Sequence, residues 1–290
     1  MLTGLRFCAT VADAFIYRFN ATVMSLPLIL ESDQLAQHLE DENLLIVDLC
    51  RSEVYSRMHL PRAVHVEPAE LVSGIQPATG KLPGIGRLEA LFARIGYAPE
   101  MQVVAYDDEG GGWAGRFIWT LDVIGHQSSS YLNGGILAWT KDGLETTTII
   151  PEITTVEPIA LKIDRRLIAS MNDVLQAIED PNSVIWDARS AEEYSGIKVN
   201  AQRGGHIPGA INLNWLDVMD RESSLRIRGD IAEHLKTLGI TPDKDVITHC
   251  QTHHRSGLTY LVGKSLDYRI RAYDGSWSEW GNNPDLPIET

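Results

Sequence analysis

The chain of 290 residues is longer than one ordinary domain and matches two, because domains typically contain about 100–150 residues. Its composition, 44% hydrophobic and 22% charged, is typical of a globular protein and excludes a disordered one. The formal net charge of −14 argues against general nucleic-acid binding and against adhesion to acidic membrane surfaces, since both need an excess of Lys and Arg.

The first 24 residues contain apolar side chains but lack the clean apolar centre of a signal peptide, because Asp13 and Arg18 interrupt them. No stretch of the sequence reaches the roughly 18 uninterrupted apolar residues of a membrane-spanning helix. We interpret residues 1–24 as a dispensable N-terminal extension, with Met24 as the natural start. The three cysteines are too few and too scattered for a disulfide framework, which predicts a reducing compartment and a cytoplasmic location.

Five short blocks of the first half recur in the same order in the second half, which indicates two homologous domains. The first block of each half is a β-branched, apolar run that ends in aspartate, which is typical of a buried strand. Within the next block of the second half, Ser190 and Glu193 have the spacing of a capping box, which predicts the start of a helix. The paired blocks are Asn43–Asp48 with Asn182–Asp187, Arg51–Tyr55 with Arg189–Tyr194, His59–Ala63 with His206–Ala210, Val103–Asp107 with Val246–Cys250, and Asn133–Trp139 with Asp274–Trp280.

We predict two homologous α/β domains at residues 25–145 and 167–290, joined by a linker at 146–166 that is rich in Thr, Pro and Ile. Short strands alternate with helical patterns in both halves, and the clearest helical pattern runs from about Arg255 to Asp267. This alternation predicts, in each domain, a mainly parallel sheet flanked by helices. Ligands of such sheets bind beyond the carboxyl ends of the strands, so candidate functional residues are expected there.

Cys250 follows the last predicted strand and comes just before the helix that begins at Arg255. The helix dipole and the free backbone N–H groups at that position favour a thiolate over a thiol and so lower the pKa of the cysteine. His253 and His254 add further hydrogen-bond donors beside the positive charge of Arg255. A buried structural cysteine is the alternative interpretation. The run of polar residues after Cys250, and the aspartate at the equivalent position 107 in the first half, argue against it.

Three kinds of chemistry fit this loop. Cysteine phosphatases use a Cys, five residues and an Arg, whereas four residues separate Cys250 from Arg255. The shorter loop makes a tighter cradle, which suits a smaller atom such as a sulfane sulfur. Zinc binding by His249, Cys250, His253 and His254 has suitable ligand types, but four ligands within six residues cannot easily form a tetrahedron. The third chemistry is sulfur transfer through a persulfide on Cys250.

From about residue 26 to residue 290, the chain resembles a tandem rhodanese, a sulfurtransferase made of two rhodanese domains. The segments that carry the resemblance are Gly205–Ala210, Cys250–Ser256 and Asp274–Trp280 in the second half, and Tyr106–Asp107 and Leu132–Gly135 in the first. In this family the first domain is usually inactive and the second carries the nucleophile, which agrees with Asp107 in the place of the cysteine. The Cys-Gln-Thr-His-His-Arg loop is similar to the loop of bacterial thiosulfate:cyanide sulfurtransferases.

The resemblance implies a reaction in two displacements, with Cys250 as the catalytic nucleophile. The thiolate takes the outer sulfur of thiosulfate, sulfite leaves, and the persulfide gives its sulfur to cyanide or to a thiol. Neither a metal nor an organic cofactor is expected for this chemistry. The two pseudo-symmetric domains can satisfy each other within one chain, which favours a monomer.

The resemblance also assigns roles to residues around the nucleophile. Arg189 falls where the family binds the anionic end of the donor. The backbone of residues 251–255, from Gln251 and Thr252 through His253 and His254, is expected to cradle the persulfide. Arg255 either faces the donor or pairs with Asp187 and holds the shape of the loop, and we favour the pairing with Asp187.

The identity of the sulfur donor depends on the two positions after the cysteine. Animal thiosulfate enzymes carry Arg and Lys there, whereas this chain carries Gln251 and Thr252. Enzymes that use 3-mercaptopyruvate carry an uncharged, Gly-rich loop, whereas this loop contains two His and an Arg. The sequence therefore favours thiosulfate and keeps 3-mercaptopyruvate as the alternative donor. A persulfide carrier that serves one protein partner without turnover is the non-catalytic alternative.

Overall fold

The computed structural model describes residues 26–290, so the extension proposed at residues 1–24 lies outside the described residues. In the first half of the described chain, short strands alternate with helices. The strands are β1 (Ile29–Leu30), β2 (Leu44–Asp48), β3 (Val64–His65), β4 (Gln102–Tyr106) and β5 (Ser129–Leu132). The helices are α1 (Ser32–Ala36), α2 (Ser52–Arg57), α3 (Ile85–Arg94), α4 (Gly112–Val123) and α5 (Gly135–Lys141), with a 3-10 turn at Pro68–Leu71.

The second half repeats this alternation. Its strands are β6 (Ser183–Asp187), β7 (Ile211–Asn212), β8 (Met219–Asp220), β9 (Arg226–Ile227), β10 (Asp245–His249) and β11 (Arg269–Ala272). Its helices are α6 (Met171–Glu179), α7 (Ala191–Tyr194), α8 (Ile231–Thr237), α9 (Arg255–Ser265) and α10 (Ser276–Trp280), with 3-10 turns at Arg165–Leu167 and Trp215–Asp217.

The two sheets are parallel and have the same strand order. The first sheet has the order β1-β5-β4-β2-β3, and the second has the order β11-β10-β6-β7. A parallel bridge between Ile168 and Ala272 takes the place that β1 holds beside β5 in the first sheet. Strands β8 and β9 form a separate antiparallel ribbon in the second half. The predicted α/β class, with two homologous and mainly parallel sheets, is therefore confirmed.

The local sequence signals explain the elements on which the site depends. Every residue of β2 and β4 is buried, as expected for parallel strands covered by helices on both faces. The Ser190 side chain accepts a hydrogen bond from the Glu193 N–H, and the predicted capping box is present at the start of α7. The helix predicted to begin at Arg255 is α9, which ends at Ser265, two residues before the predicted end.

Helices α4 and α9 cross backbone to backbone, and this crossing joins the two halves. A Cβ atom added to Gly115 would overlap the carbonyl oxygen of Gly257, and one added to Gly257 would overlap that of Gly112. Only glycine at these positions lets the helices approach so closely. All three glycines lie near the helix N-termini, so the crossing brings together the loops that precede α4 and α9.

Buried side chains continue across this crossing. One apolar cluster contains Phe117 and Trp119 of α4 together with Leu258 and Val262 of α9. At its edge, the Lys264 Nζ and Tyr260 hydroxyl groups of α9 donate hydrogen bonds to Asp122 of α4. The loop between β10 and α9 is therefore buried between the two halves. Among residues 26–290, no helix has both the length and the apolar character needed to span a bilayer.

Candidate active site

The carbonyl groups of the Cys250 loop are held from outside the loop. The carbonyl oxygens of Cys250 and Gln251 accept hydrogen bonds from the N–H groups of Trp277 and Ser278, each at 3.0 Å. Because the carbonyl groups face away, the backbone N–H groups around the sulfur are available to an anion.

The turn of this loop is fixed by His253, which has left-handed backbone geometry with φ of 54°. A non-glycine residue adopts this geometry at a cost of about 1–2 kcal/mol, so surrounding contacts must hold it. The His253 side chain is fully buried, with Nδ1 2.7 Å from Ser256 Oγ and its ring 4.6 Å from the Trp119 ring. These contacts come from both halves of the chain and keep the loop in one conformation.

The first half also covers the outer side of the loop. A Cβ atom added to Gly80 would overlap the carbonyl group of Thr252, so this close approach requires glycine. The backbone N–H of Leu82 donates a hydrogen bond to Asp274 at 2.9 Å. The Gly80 segment is thus anchored beside the loop, and the half that lacks the cysteine completes its wall.

His254 connects the Cys250 loop to the corresponding loop of the first half. Its ring stacks on Trp113 with 4.3 Å between ring centroids, and Nε2 is hydrogen-bonded to Glu109. Gln251, at the other end of the loop, donates a hydrogen bond to the carbonyl oxygen of Asn200 at 3.0 Å. The His254 and Gln251 side chains therefore both fix the position of the loop.

Opposing effects act on the Cys250 thiol, which is 1% exposed. Burial opposes ionisation, but the positive charge of Arg255 and the hydrogen bonds from Ser256 outweigh it and hold the pKa of Cys250 below its usual value. The other cysteine in the described part of the chain, Cys50, is buried beside Asp48. Burial and this negative charge raise the Cys50 pKa far above the usual value. Of these two thiols, Cys250 alone is prepared to act as a nucleophile.

Arg255 pairs with Glu193, and the predicted pairing with Asp187 is wrong. The Arg255 Nη1 and Nη2 atoms lie 2.6 Å and 2.9 Å from the two Glu193 carboxylate oxygens. Asp187 is occupied instead by Arg189, whose Nε and Nη2 atoms lie 2.9 Å and 2.5 Å from its oxygens. The backbone N–H of Arg189 also donates to Asp187, which directs the arginine side chain back onto this carboxylate.

The placement of Arg189 differs from that expected of a donor-binding residue. Its side chain is 1% exposed, and its guanidinium group lies 4.3 Å from the Trp277 ring centroid. Nη2 also donates to the carbonyl oxygen of Gly205 at 2.9 Å. His249 Nε2 lies 3.7 Å from Asp187 in the same buried cluster. In this geometry Arg189 stabilises the strand ends beside the loop, and its side chain is not placed to bind the donor.

The residues considered for zinc binding point to different partners. His249 faces Asp187, His253 faces Ser256, and His254 faces Glu109. No cluster of three or more His, Cys, Asp or Glu side chains with metal-binding geometry occurs within residues 26–290. The histidines of this loop therefore act as hydrogen-bonding and packing groups in this structure.

Comparison with known proteins places this geometry in a family. A model of the rhodanese-like domain matches residues 31–142 and 170–283. The chain belongs to the rhodanese family. It is 50% identical over 266 residues to the thiosulfate sulfurtransferase of Azotobacter vinelandii, covering 91% of this chain and 98% of that protein. It is also 50% identical to the thiosulfate sulfurtransferase of Pseudomonas aeruginosa, covering 91% and 97%. The crystal structure of YnjE shares the fold, with a TM-score of 0.81 at 20% identity, covering 91% of this chain and 68% of that one.

The first half of this rhodanese has a corresponding loop that a carboxylate occupies. Asp107 accepts hydrogen bonds from the backbone N–H groups of Glu109, Gly110, Gly111 and Ala114 at 2.9–3.1 Å. Burial and the nearby Glu109 charge raise the pKa of Asp107 to about 6. The cradle of the first half is therefore filled by its own side chain and holds no nucleophile.

Sequence reasoning missed two charged residues at this site. The sequence pattern indicates Glu193 only as a capping residue, whereas in the structure it also binds Arg255. Arg116 of α4 is fully buried and donates to the carbonyl oxygens of Leu71 (2.8 Å) and His253 (3.5 Å). No local pattern around residue 116 indicates this contact, because it depends on the crossing of α4 and α9.

Because this rhodanese contains three buried histidines with lowered pKa values, we predict that its free energy of unfolding decreases in mild acid. Burial is the main cause that lowers the pKa of His126, His249 and His253 below the usual value. A histidine with a depressed native pKa contributes stability above its unfolded pKa of about 6.5, and this stability is lost as the pH falls below that value. We expect the free energy of unfolding to fall by up to about 1.4 kcal/mol per pH unit for each such histidine.

Urea unfolding at pH 7.5, 6.5 and 5.5 checks this expectation. His126→Gln, in the first half and away from Cys250, should reduce the slope between pH 6.5 and 5.5. A free energy of unfolding that is constant down to pH 5.5 would contradict the role of the buried histidines.

Proposed function

We propose that this rhodanese is a thiosulfate:cyanide sulfurtransferase that works through a persulfide on Cys250. The observation that carries the proposal is the single described cysteine with a lowered pKa, placed in a loop whose backbone N–H groups are available to an anion. The 50% identity to two thiosulfate sulfurtransferases supports the same reaction. The thiolate form needed at neutral pH is favoured by Arg255 and Ser256.

The proposed reaction has two displacements at sulfur. The Cys250 thiolate attacks the outer sulfur of thiosulfate, the S–S bond breaks, and its electron pair leaves with sulfite. Cyanide or a thiol then attacks the outer sulfur of the persulfide and restores the Cys250 thiolate. Each displacement needs only an anionic nucleophile and a stabilised leaving group, so covalent catalysis divides one difficult transfer into two easier ones.

The proposal assigns the chemistry to the second domain and structural support to the first. Asp107 fills the corresponding loop of the first domain, which is predicted at residues 25–145. That domain therefore supplies the wall of the site and no nucleophile. We propose Gln251, Thr252, His253 and His254 as the substrate-binding loop, through their backbone N–H groups. We further propose a monomeric, cytoplasmic enzyme, because one apolar cluster spans both domains and a nucleophilic thiol persists in a reducing compartment.

The experiment that tests the proposed function is thiocyanate formation from cyanide, with thiosulfate and 3-mercaptopyruvate compared as donors. We expect kcat/KM for thiosulfate to be higher by about tenfold or more, which corresponds to about 1.4 kcal/mol of transition-state binding. Preference for 3-mercaptopyruvate would keep Cys250 as nucleophile but overturn the donor. Transfer of a single sulfur to Cys250 without turnover would favour the persulfide carrier.

A further inference from the structure

The positive charge that contributes most to lowering the pKa of the Cys250 thiol, that of Arg255, is itself fully engaged by an acidic residue. Arg255 has a side chain that is 19% exposed, and it is the first residue of α9, directly after the loop that carries the nucleophile. Both of its terminal nitrogens bind Glu193, at 2.6 Å and 2.9 Å. This bidentate geometry is the strongest form of an arginine–carboxylate pair. The loop therefore presents a neutral pair rather than a free cation.

The Glu193 carboxylate is held in place by more than Arg255. It accepts hydrogen bonds from the Ser190 backbone N–H at 3.3 Å and from the Asn200 side chain at 2.9 Å. The carbonyl group of Asn200 in turn binds the Gln251 side chain, so the carboxylate is tied to the loop. Burial opposes its ionisation, but Arg255 and these hydrogen bonds lower the pKa of Glu193 to about 2. Glu193 is therefore negatively charged at neutral pH.

The other ionisable groups around the thiol are neutral or paired, apart from the buried Arg116 of α4, and His254 is paired with Glu109. His253 is neutral, because burial and the Arg116 charge hold its pKa well below the usual value. Arg189 is paired with Asp187 and is buried. The charge that an anionic reactant meets in the loop therefore depends on the balance between Arg255 and Glu193, on top of the constant charge of Arg116.

We propose that Glu193 determines the anion selectivity of the Cys250 site, by neutralising Arg255 so that anions bind through backbone N–H groups and are released readily. The identity of the anions, a dianionic donor and the sulfite that leaves, rests on the proposed function. The effect of the Glu193 carboxylate on the charge at Cys250 does not rest on the proposed function. Removing the carboxylate should free the Arg255 guanidinium, which would then attract anions to the loop more strongly.

Two alkylating reagents of similar size test the charge directly and need no sulfur transfer. Iodoacetate is an anion and iodoacetamide is neutral, so the ratio of their rates at Cys250 reports the local charge. We expect Glu193→Gln to raise this ratio by about tenfold. Glu192→Gln removes the same charge from the adjacent, exposed residue and is the matched control, for which we expect an almost unchanged ratio. Peptide mass spectrometry assigns the label to Cys250.

A double-mutant cycle separates charge from structural support. Arg255→Gln leaves the buried carboxylate uncompensated, so we expect the ratio to fall below that of the wild type. In the double variant the pair is again neutral, and the ratio should return close to the wild-type value. A merely structural role of Glu193 predicts no such return. The Arg255→Gln arm also keeps the proposal testable should Glu193→Gln fail to fold.

Steady-state kinetics extend the test to the proposed reaction. Glu193→Gln should lower KM for the dianion thiosulfate more than for the monoanion 3-mercaptopyruvate, and sulfite should inhibit the variant more strongly. An unchanged alkylation ratio in Glu193→Gln, or an equal rise in Glu192→Gln, would overturn the proposal. Absence of thiocyanate formation by the wild type would instead refute the proposed function, while the alkylation ratios would still decide the role of Glu193.

Discussion

Replacing Cys250 with serine is expected to abolish thiocyanate formation, with a loss of about 10⁴-fold or more in kcat, the range seen when an enzyme loses its covalent nucleophile. A serine hydroxyl is not ionised near neutral pH and cannot accept a sulfane sulfur. Serine is close to cysteine in size, so the buried position next to Ser256 should remain filled. The steady-state assay with thiosulfate and cyanide measures the loss, and circular dichroism verifies the fold.

Cys50→Ser is the matched control for this change. Cys50 is fully buried in the first domain, and burial together with Asp48 raises the pKa of its thiol. We expect this variant to keep the wild-type kcat, because Cys50 lies in the packed interior of the first domain. Turnover by Cys250→Ser above about one per cent of the wild-type rate would refute Cys250 as the covalent nucleophile.

The features that the sequence predicts correctly depend on short stretches of chain. The buried strands that end in Asp48 and Asp187 follow from apolar runs, and the start of α7 follows from the spacing of Ser190 and Glu193. The position of Cys250 between β10 and α9 follows from the same local patterns. Because the repeat also preserves the order of these elements, two homologous sheets could be predicted from the sequence alone.

The ion pairs could not be predicted in the same way. Asp187 and Glu193 lie close in sequence, and both offer Arg255 a carboxylate of the same charge. The choice is made by the Arg189 backbone, whose N–H binds Asp187 and turns its own guanidinium group onto that carboxylate. Glu193 at the start of α7 then receives Arg255. This outcome depends on backbone geometry, which residue types and spacing do not specify.

Contacts between the domains are even harder to predict from sequence patterns. Gly115 and Gly257 look like ordinary helix residues of low propensity until α4 and α9 are placed against each other. That crossing carries Arg116 to the backbone of His253 and Glu109 to the side chain of His254. The repeat explains why two such helices exist, but only the packed structure shows that the first domain completes the loop of the second.

Asp187→Asn is expected to cost about 3–5 kcal/mol of the free energy of unfolding, because it leaves the charge of a buried arginine uncompensated. Asp187 is fully buried and binds the 1% exposed Arg189 through both carboxylate oxygens. After the substitution, the guanidinium group would keep the Gly205 carbonyl and the Trp277 ring but no neutralising charge. Urea unfolding at pH 7.5 measures the difference in free energy.

The matched control is Asp164→Asn, which removes a carboxylate paired with the exposed Arg166 and should leave the unfolding midpoint unchanged. The pH dependence of Asp187 gives a second check. Burial opposes its ionisation, but His249 and Arg189 hold its pKa below the usual value, so its contribution to stability is present above about pH 4 and is lost at lower pH. The difference between the wild type and Asp187→Asn should therefore narrow as the pH falls below 4. Equal stability of the two proteins at pH 7.5 would show that the Arg189 charge needs no buried partner, and the supporting role assigned to this ion pair would be wrong.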